Sequence, residues 1–112
     1  MRILERGVTI RDGMLVCPRC TDNYLHQTDV MVFNRREDAE KVHLTSTVKD
    51  RLTAMVTVAD VDNDTSLNPS ARRHGLLIDF ACESCDGEEN KSKVTLAIYQ
   101  HKGSTYLDWR QS

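Results

Sequence analysis

No apolar stretch reaches the length of roughly 18 residues that a membrane helix needs, so the chain has no sequence-visible spanning segment. The start, Met1-Arg2-Ile3-Leu4-Glu5-Arg6-Gly7, lacks the apolar core and cleavage site of a secretory signal, and a cytoplasmic protein is the expectation. Charge of one sign is also missing: the formal net charge is −2, which excludes a strongly basic nucleic-acid coat but leaves room for a local basic patch. Aromatic residues are only 5% and apolar residues 39%, so the core is thin for 112 residues and a covalent or metal staple would help it. Catalytic signatures are absent as well. There is no P-loop, no glycine-rich dinucleotide motif and no evident nucleophile–base arrangement, and the reading is that of a non-enzyme.

What is present is cysteine in a definite pattern. The four cysteines read Cys17-Pro18-Arg19-Cys20 and Cys82-Glu83-Ser84-Cys85, two C-x2-C pairs separated by 61 residues, with none left over. A C-x2-C pair on a tight turn aims two sulfurs at one centre, and two such turns complete a tetrahedral thiolate shell. Structural Zn2+ on Cys17, Cys20, Cys82 and Cys85 is the economical reading. An iron–sulfur cluster takes the same ligands and spacing alone does not separate the two; redox pairs and disulfides fit less well without a secretory signal or a flanking βαβ pattern. A shell of four cysteines leaves no coordination position for water or substrate, so the metal would be a staple, not a catalyst.

The hydrophobic period is close to two nearly throughout, and no long amphipathic helix is visible. Met14-Leu15-Val16 leads as a strand into the first cysteine turn. A strand follows over Leu25 to Phe33, with Val30 and Val32 on one face and Met31 and Phe33 on the other. The charged stretch Asn34 to Lys41 is a hairpin loop or a single helical turn. Val42 to Val48 and Leu52 to Val61 alternate well and read as a hairpin about Lys49-Asp50-Arg51. Asp60 to Arg73, with Asn68-Pro69, reads as a long loop. Gly75 restarts regular structure, and Leu76 to Ala81 runs into the second cysteine turn. Val94 to His101 and Thr105 to Arg110 form a last hairpin about Lys102-Gly103-Ser104. One mainly β domain over 1–112 is expected: a first knuckle with flanking strands (14–33), a β-rich insertion and loop (34–75), and a second knuckle with a C-terminal hairpin (76–112).

Strand, C-x2-C turn, strand, twice over, resembles a zinc ribbon, on Leu15-Val16-Cys17-Pro18-Arg19-Cys20 and Phe80-Ala81-Cys82-Glu83-Ser84-Cys85. Two departures stand out. Ribbons often carry glycine directly after the second cysteine of a knuckle, where this chain has Thr21 and Asp86, and their knuckles are usually separated by a short hairpin. The wider sequence resembles small ribbon proteins of actinobacterial phages and prophages, through Asn23-Tyr24-Leu25-His26, Val32-Phe33-Asn34-Arg35, Asn68 to Leu76 and Gln100 to Tyr106. That resemblance brings no catalytic assignment. A closed metal site, small size, acidic net charge and several polar strand-loop tips point to a zinc-stabilised, non-catalytic, phage-derived adaptor acting on a host protein, and the ribbon resemblance makes nucleic-acid binding in transcription the alternative.

Other residues are weighed against blander roles. Arg72, Arg73 and His74 could clamp a phosphate or carboxylate, or the arginines could simply pair with Asp60, Asp62 or Asp64. Arg72, Arg73, Lys91, Lys93 and Lys102 could line one nucleic-acid-binding face. Tyr106 and Trp109 could stack on bases or pack the last strand, and packing is favoured because aromatics are scarce. Asp60-x-Asp62-x-Asp64 opens like a calcium loop, but Thr65 and Ala71 stand where glycine and glutamate are needed. His26, His43, His74 and His101 lack metal-ligand spacing and read as surface or core residues. An exposed sheet edge could pair two copies of the chain.

Overall fold

The computed structural model describes residues 1–49, 54–64, 67–85 and 93–111. These residues form nine strands: β1 (Arg2–Ile3), β2 (Ile10–Arg11), β3 (Met14–Leu15), β4 (Leu25–Asn34), β5 (Lys41–Lys49), β6 (Ala54–Asp62), β7 (Gly75–Cys82), β8 (Lys93–His101) and β9 (Ser104–Gln111), with one 3-10 turn at Glu83–Cys85. The period-two alternation thus becomes a mainly β fold, as expected. Seven strands make one antiparallel sheet in the order β1-β9-β8-β7-β4-β5-β6, and β2 and β3 form a separate hairpin. None of the described residues belongs to a helix long and apolar enough to cross a membrane.

Local chemistry sets the turns. Asp12-Gly13 and Lys102-Gly103 both hold positive φ at each position, the conformation of a two-residue hairpin turn whose twist matches the strands it joins. The charged stretch after Asn34 is a hairpin loop, since β4 and β5 pair directly on either side of it. β6 continues to Asp62, three residues into the stretch expected as loop, because Asp60 and Asp62 pair opposite His43 and Lys41 of β5. Of the turn expected at 49–51, Lys49 is the last residue of β5; residues 50 and 51, like 86–92 after the second knuckle, lie outside the described residues.

The sheet has two unequal faces, each covered at one end only. On one face, Val94, Leu96 and Trp109 form a buried cluster, and Leu4, Val8 and Leu15 of the N-terminal segment pack on it together with Leu25, Phe80 and Ile98. On the opposite face, Phe33, Val42, Leu77 and Ala97 form a second cluster with Met31, Leu44, Val61 and Tyr99 around it. The loop between β6 and β7 lies over this second cluster. A side chain at Gly75 would collide with Asn68 Oδ1 and would come within 2.6–2.7 Å of the Pro69 ring, so only glycine lets the loop lie this close.

One irregularity decides who joins which cluster. β4 carries one extra residue between Gln27 and Val30 where it pairs with β7. The bulge reverses the side-chain alternation. Leu25, an odd position, therefore shares a face with Phe80 and Cys82, while further along it is Val30 and Val32, even positions, that lie on that face.

Candidate metal centre

Sixty-one residues separate the cysteine pairs, yet the fold brings them together simply. The chain leaves the first knuckle along β4 and returns to the second along β7, its direct antiparallel neighbour, with Leu25 opposite Cys82. The remaining strands of the intervening segment, β5 and β6, extend the same sheet beyond β4. A backbone bond from Glu83 N to Tyr24 O, 3.0 Å, ties the second knuckle to the exit of the first.

Each knuckle is a tight turn. Cys17 N donates to Asp22 O at 2.8 Å and Thr21 N donates to Cys17 O at 3.1 Å. Thr21 holds φ +66°, the left-handed conformation that glycine adopts at least cost. The first departure from the ribbon pattern is thus a change of residue and not of backbone. Its counterpart Asp86 lies outside the described residues.

The four sulfurs lie within 4.8 Å of one another, and among the described residues this is a group able to hold a metal ion. Cys17 and Cys82 are buried; Cys20 and Cys85 are partly exposed, and all four are free of disulfides. The closest approaches run between knuckles, Cys17 to Cys85 at 3.9 Å and Cys20 to Cys82 at 3.5 Å. Sulfurs placed about 2.3 Å from a single ion at tetrahedral angles would be roughly 3.8 Å apart, so the cluster has the dimensions of one thiolate shell.

Backbone amides prepare these sulfurs. Burial alone would push the Cys17 thiol up, but the N–H groups of Cys20 and Arg19 donate to its sulfur and hold it below the usual thiol range. Cys82 is pushed up by burial and by neighbouring thiols, against a backbone donation from Cys85. Burial, with the crowding of the other sulfurs, also pushes Cys85 up. In both knuckles the first cysteine thus accepts the N–H of the second, the polarity that favours thiolate and hence metal binding.

The other candidate residues have structural employment. Arg72 Nε donates to Asp38 Oδ1 at 3.2 Å, so its partner is Asp38 and not the expected Asp60, Asp62 or Asp64. Asp60 faces His43 at 2.9 Å and Asp62 faces Lys41 at 2.5 Å across the β5–β6 pair, on a strand and not in a calcium-loop geometry. His74 Nδ1 accepts the backbone N–H of Arg35 at 3.0 Å. His26 lies 3.3 Å from Glu83, and His101 packs edge-on to Tyr106; no histidine enters the cysteine group. Tyr106 is nearly half exposed and stacks on Tyr99, while Trp109 is fully buried, so packing is the role of Trp109.

The basic residues expected on one face are split. Arg72, Arg73 and Lys102 sit at the end of the sheet away from the cysteines, whereas Lys93 begins β8 at the cysteine end, about 27 Å along the strand from His101. Lys91 lies outside the described residues.

Residues that hold the far end together carried no sequence motif. Arg35, almost fully buried, donates to Ala39 O at 2.6 Å and to Ala71 O at 3.2 Å. Asn68 donates to Asn63 Oδ1 and Arg73 O and accepts from Ser70 N; Ser70 Oγ donates to Gln100 O at 2.7 Å. Asn68-Pro69 was legible as a breaker, but not that its amide would be buried.

Compared with known proteins, the chain matches no protein-family profile, no curated protein and no solved structure.

Proposed function

We propose that the chain is a zinc-stapled, non-catalytic adaptor of the ribbon type, working in the cytoplasm, whose open sheet face docks a partner protein. The observation that carries this reading is a mainly apolar row, exposed at three of its six residues, beyond the N-terminal cover. Leu107, Ile98, Leu76, Val32, Thr45 and Val58 are register neighbours on one face, crossing six strands from β9 to β6. Leu107, Val32 and Val58 are 52%, 40% and 56% exposed. Contiguous exposed apolar surface of this kind marks an interaction site more often than an accident of the surface. The proposed partner is a host protein, on the resemblance to phage and prophage ribbon proteins read from the sequence segments alone.

Geometry favours a single tetrahedral ion, and zinc is the usual occupant of a structural four-cysteine shell. Multi-iron clusters distribute their cysteines over separate metal atoms, whereas four sulfurs within 4.8 Å suit one closed-shell tetrahedral ion. Four thiolate ligands leave that ion without an open position, so its contribution is to folding.

Two arms test the reading. Metal analysis of purified protein should give one zinc per chain. Host lysate passed over immobilised zinc-loaded chain should yield a specific protein that Val32→Asp no longer retains. A bound species unaffected by Val32→Asp, or salt-sensitive retention of random DNA or RNA in place of protein, would overturn it.

A further inference from the structure

The two edges of the large sheet differ in how much strand they leave open. At one edge the two-residue β1 pairs with Arg110 and Gln111 and leaves only the five residues 104–108 of β9 without a strand partner on that side. At the other, β6 pairs with β5 over nine successive positions without a shift, and among the described residues no strand takes its outer side. Every residue from Met55 to Asp60 is exposed, whichever face it points to. Strands that remain at an edge usually carry a proline, a lysine, a bulge or a covering loop. Between Ala54 and Asp62 the sequence is Ala-Met-Val-Thr-Val-Ala-Asp-Val-Asp, with no proline and no lysine.

We infer that β6 is the subunit interface of a symmetric homodimer, formed by antiparallel pairing of β6 with β6 of a second copy about a two-fold axis at Thr57. A two-fold contact must be self-complementary, and this register is. Val56 then faces Val58 and Met55 faces Ala59, so the large exposed apolar residues of the strand meet apolar partners. Asp60 faces the partner's Ala54, so no aspartate opposes an aspartate. Lys49 is the register neighbour of Ala54, and His43 that of Asp60. Asp60 keeps its neighbour His43, 2.9 Å away on β5, and meets no second acid across the axis. The pairing satisfies the open row of backbone groups on β6 and joins the two mainly apolar rows into one surface. It does not depend on the adaptor reading: the contact is made by the backbone edge of β6, and although Val58 also ends the docking row, the readout is the mass of the chain alone, with no partner present.

Sedimentation equilibrium on the full metal-loaded chain is the first test. A mass twice 12.8 kDa is expected, and Val58→Lys, an exposed position outside both buried clusters, should weaken association by roughly tenfold or more through like charges close to the axis. Thr57→Cys provides the register test. Directly opposed residues in an antiparallel pair lie about 4.5–5.5 Å apart at Cα, within disulfide reach, so a mild thiol oxidant should give a covalent dimer on a non-reducing gel. Wild type and Asp62→Cys under the same conditions should not. A monomer at all concentrations, a dimer indifferent to Val58→Lys, or cross-linking at Asp62→Cys equal to that at Thr57→Cys would each overturn the inference.

Discussion

The two covers of the sheet solve the same problem with different chemistry. At the cysteine end, an N-terminal segment with only two-residue strands lies over Trp109, and few hydrogen bonds bind it: Leu4 N to Trp109 O and Val16 N to Thr9 O are the described backbone examples outside its strands. Its anchor is the cysteine cluster, which joins the end of this segment to the end of β7. At the far end, the β6–β7 loop lies over Gly75 and is held by the buried polar groups of Asn68, Ser70 and Arg35, with reciprocal Asp38–Arg72 contacts at the surface. A segment with little regular structure needs a strong point anchor. A loop whose amides and carbonyls are met individually does not. Each end should therefore fail by its own route.

The largest effect is expected from Cys82→Ser. A structural zinc contributes apparent free energies on the order of 10 kcal/mol, comparable to the entire stability of a small domain. Loss of one thiolate should abolish zinc retention and expose Trp109, read as a red shift of its fluorescence. It is the single tryptophan, so the signal reports on that cover alone.

Gly75→Ala attacks the other end. The added methyl meets Asn68 and Pro69, and the expected cost is about 1–3 kcal/mol in urea unfolding, with Trp109 emission of the folded state and zinc content unchanged. Asn68→Ala should cost about 2 kcal/mol by the same measurement, because it strands the Ser70 N–H and removes two donations in a buried loop. Thr21→Gly should go the other way. Relief of a β-branched residue at φ +66° should stabilise the first knuckle by about 1 kcal/mol, visible as slower zinc loss to a chelator.

The smallest effect concerns Tyr99, beside the second cluster. Burial and the 2.8 Å bond to Asp108 raise its phenol above the usual 10.0, against the nearby Arg110. The folded state thus holds this proton more tightly than the unfolded chain. Its contribution is complete below pH 10 and is lost as pH rises through the folded value. Stability measured from pH 9 upward should fall for wild type and fall less for Tyr99→Phe.

Much of this was legible in the sequence because the signals were local. Strict alternation at Val42–Val48 and Val94–His101, and the Lys102-Gly103 turn, specify strands and a hairpin without tertiary help. The C-x2-C spacing picked out the four cysteines that the fold brings together. What escaped was non-local. The β4 bulge places Leu25 and Val32 on one face through pairing with β7, and no residue type announces it. Arg35, Asn68 and Ser70 look like ordinary loop residues until the chain folds back over Gly75. Lys93 and Lys102 lie nine positions apart in sequence, yet strand geometry puts them at opposite ends of the sheet.

The most direct test of the account is hydrogen exchange of the zinc-loaded protein before and after chelation, followed segment by segment. Chelation is expected to strip protection from residues 1–24 and 82–85 while residues 67–74 and the β4–β5 pair keep theirs. Unchanged protection in residues 1–24, or its equal loss everywhere, would contradict the claim that the metal fastens one cover and hydrogen bonds the other.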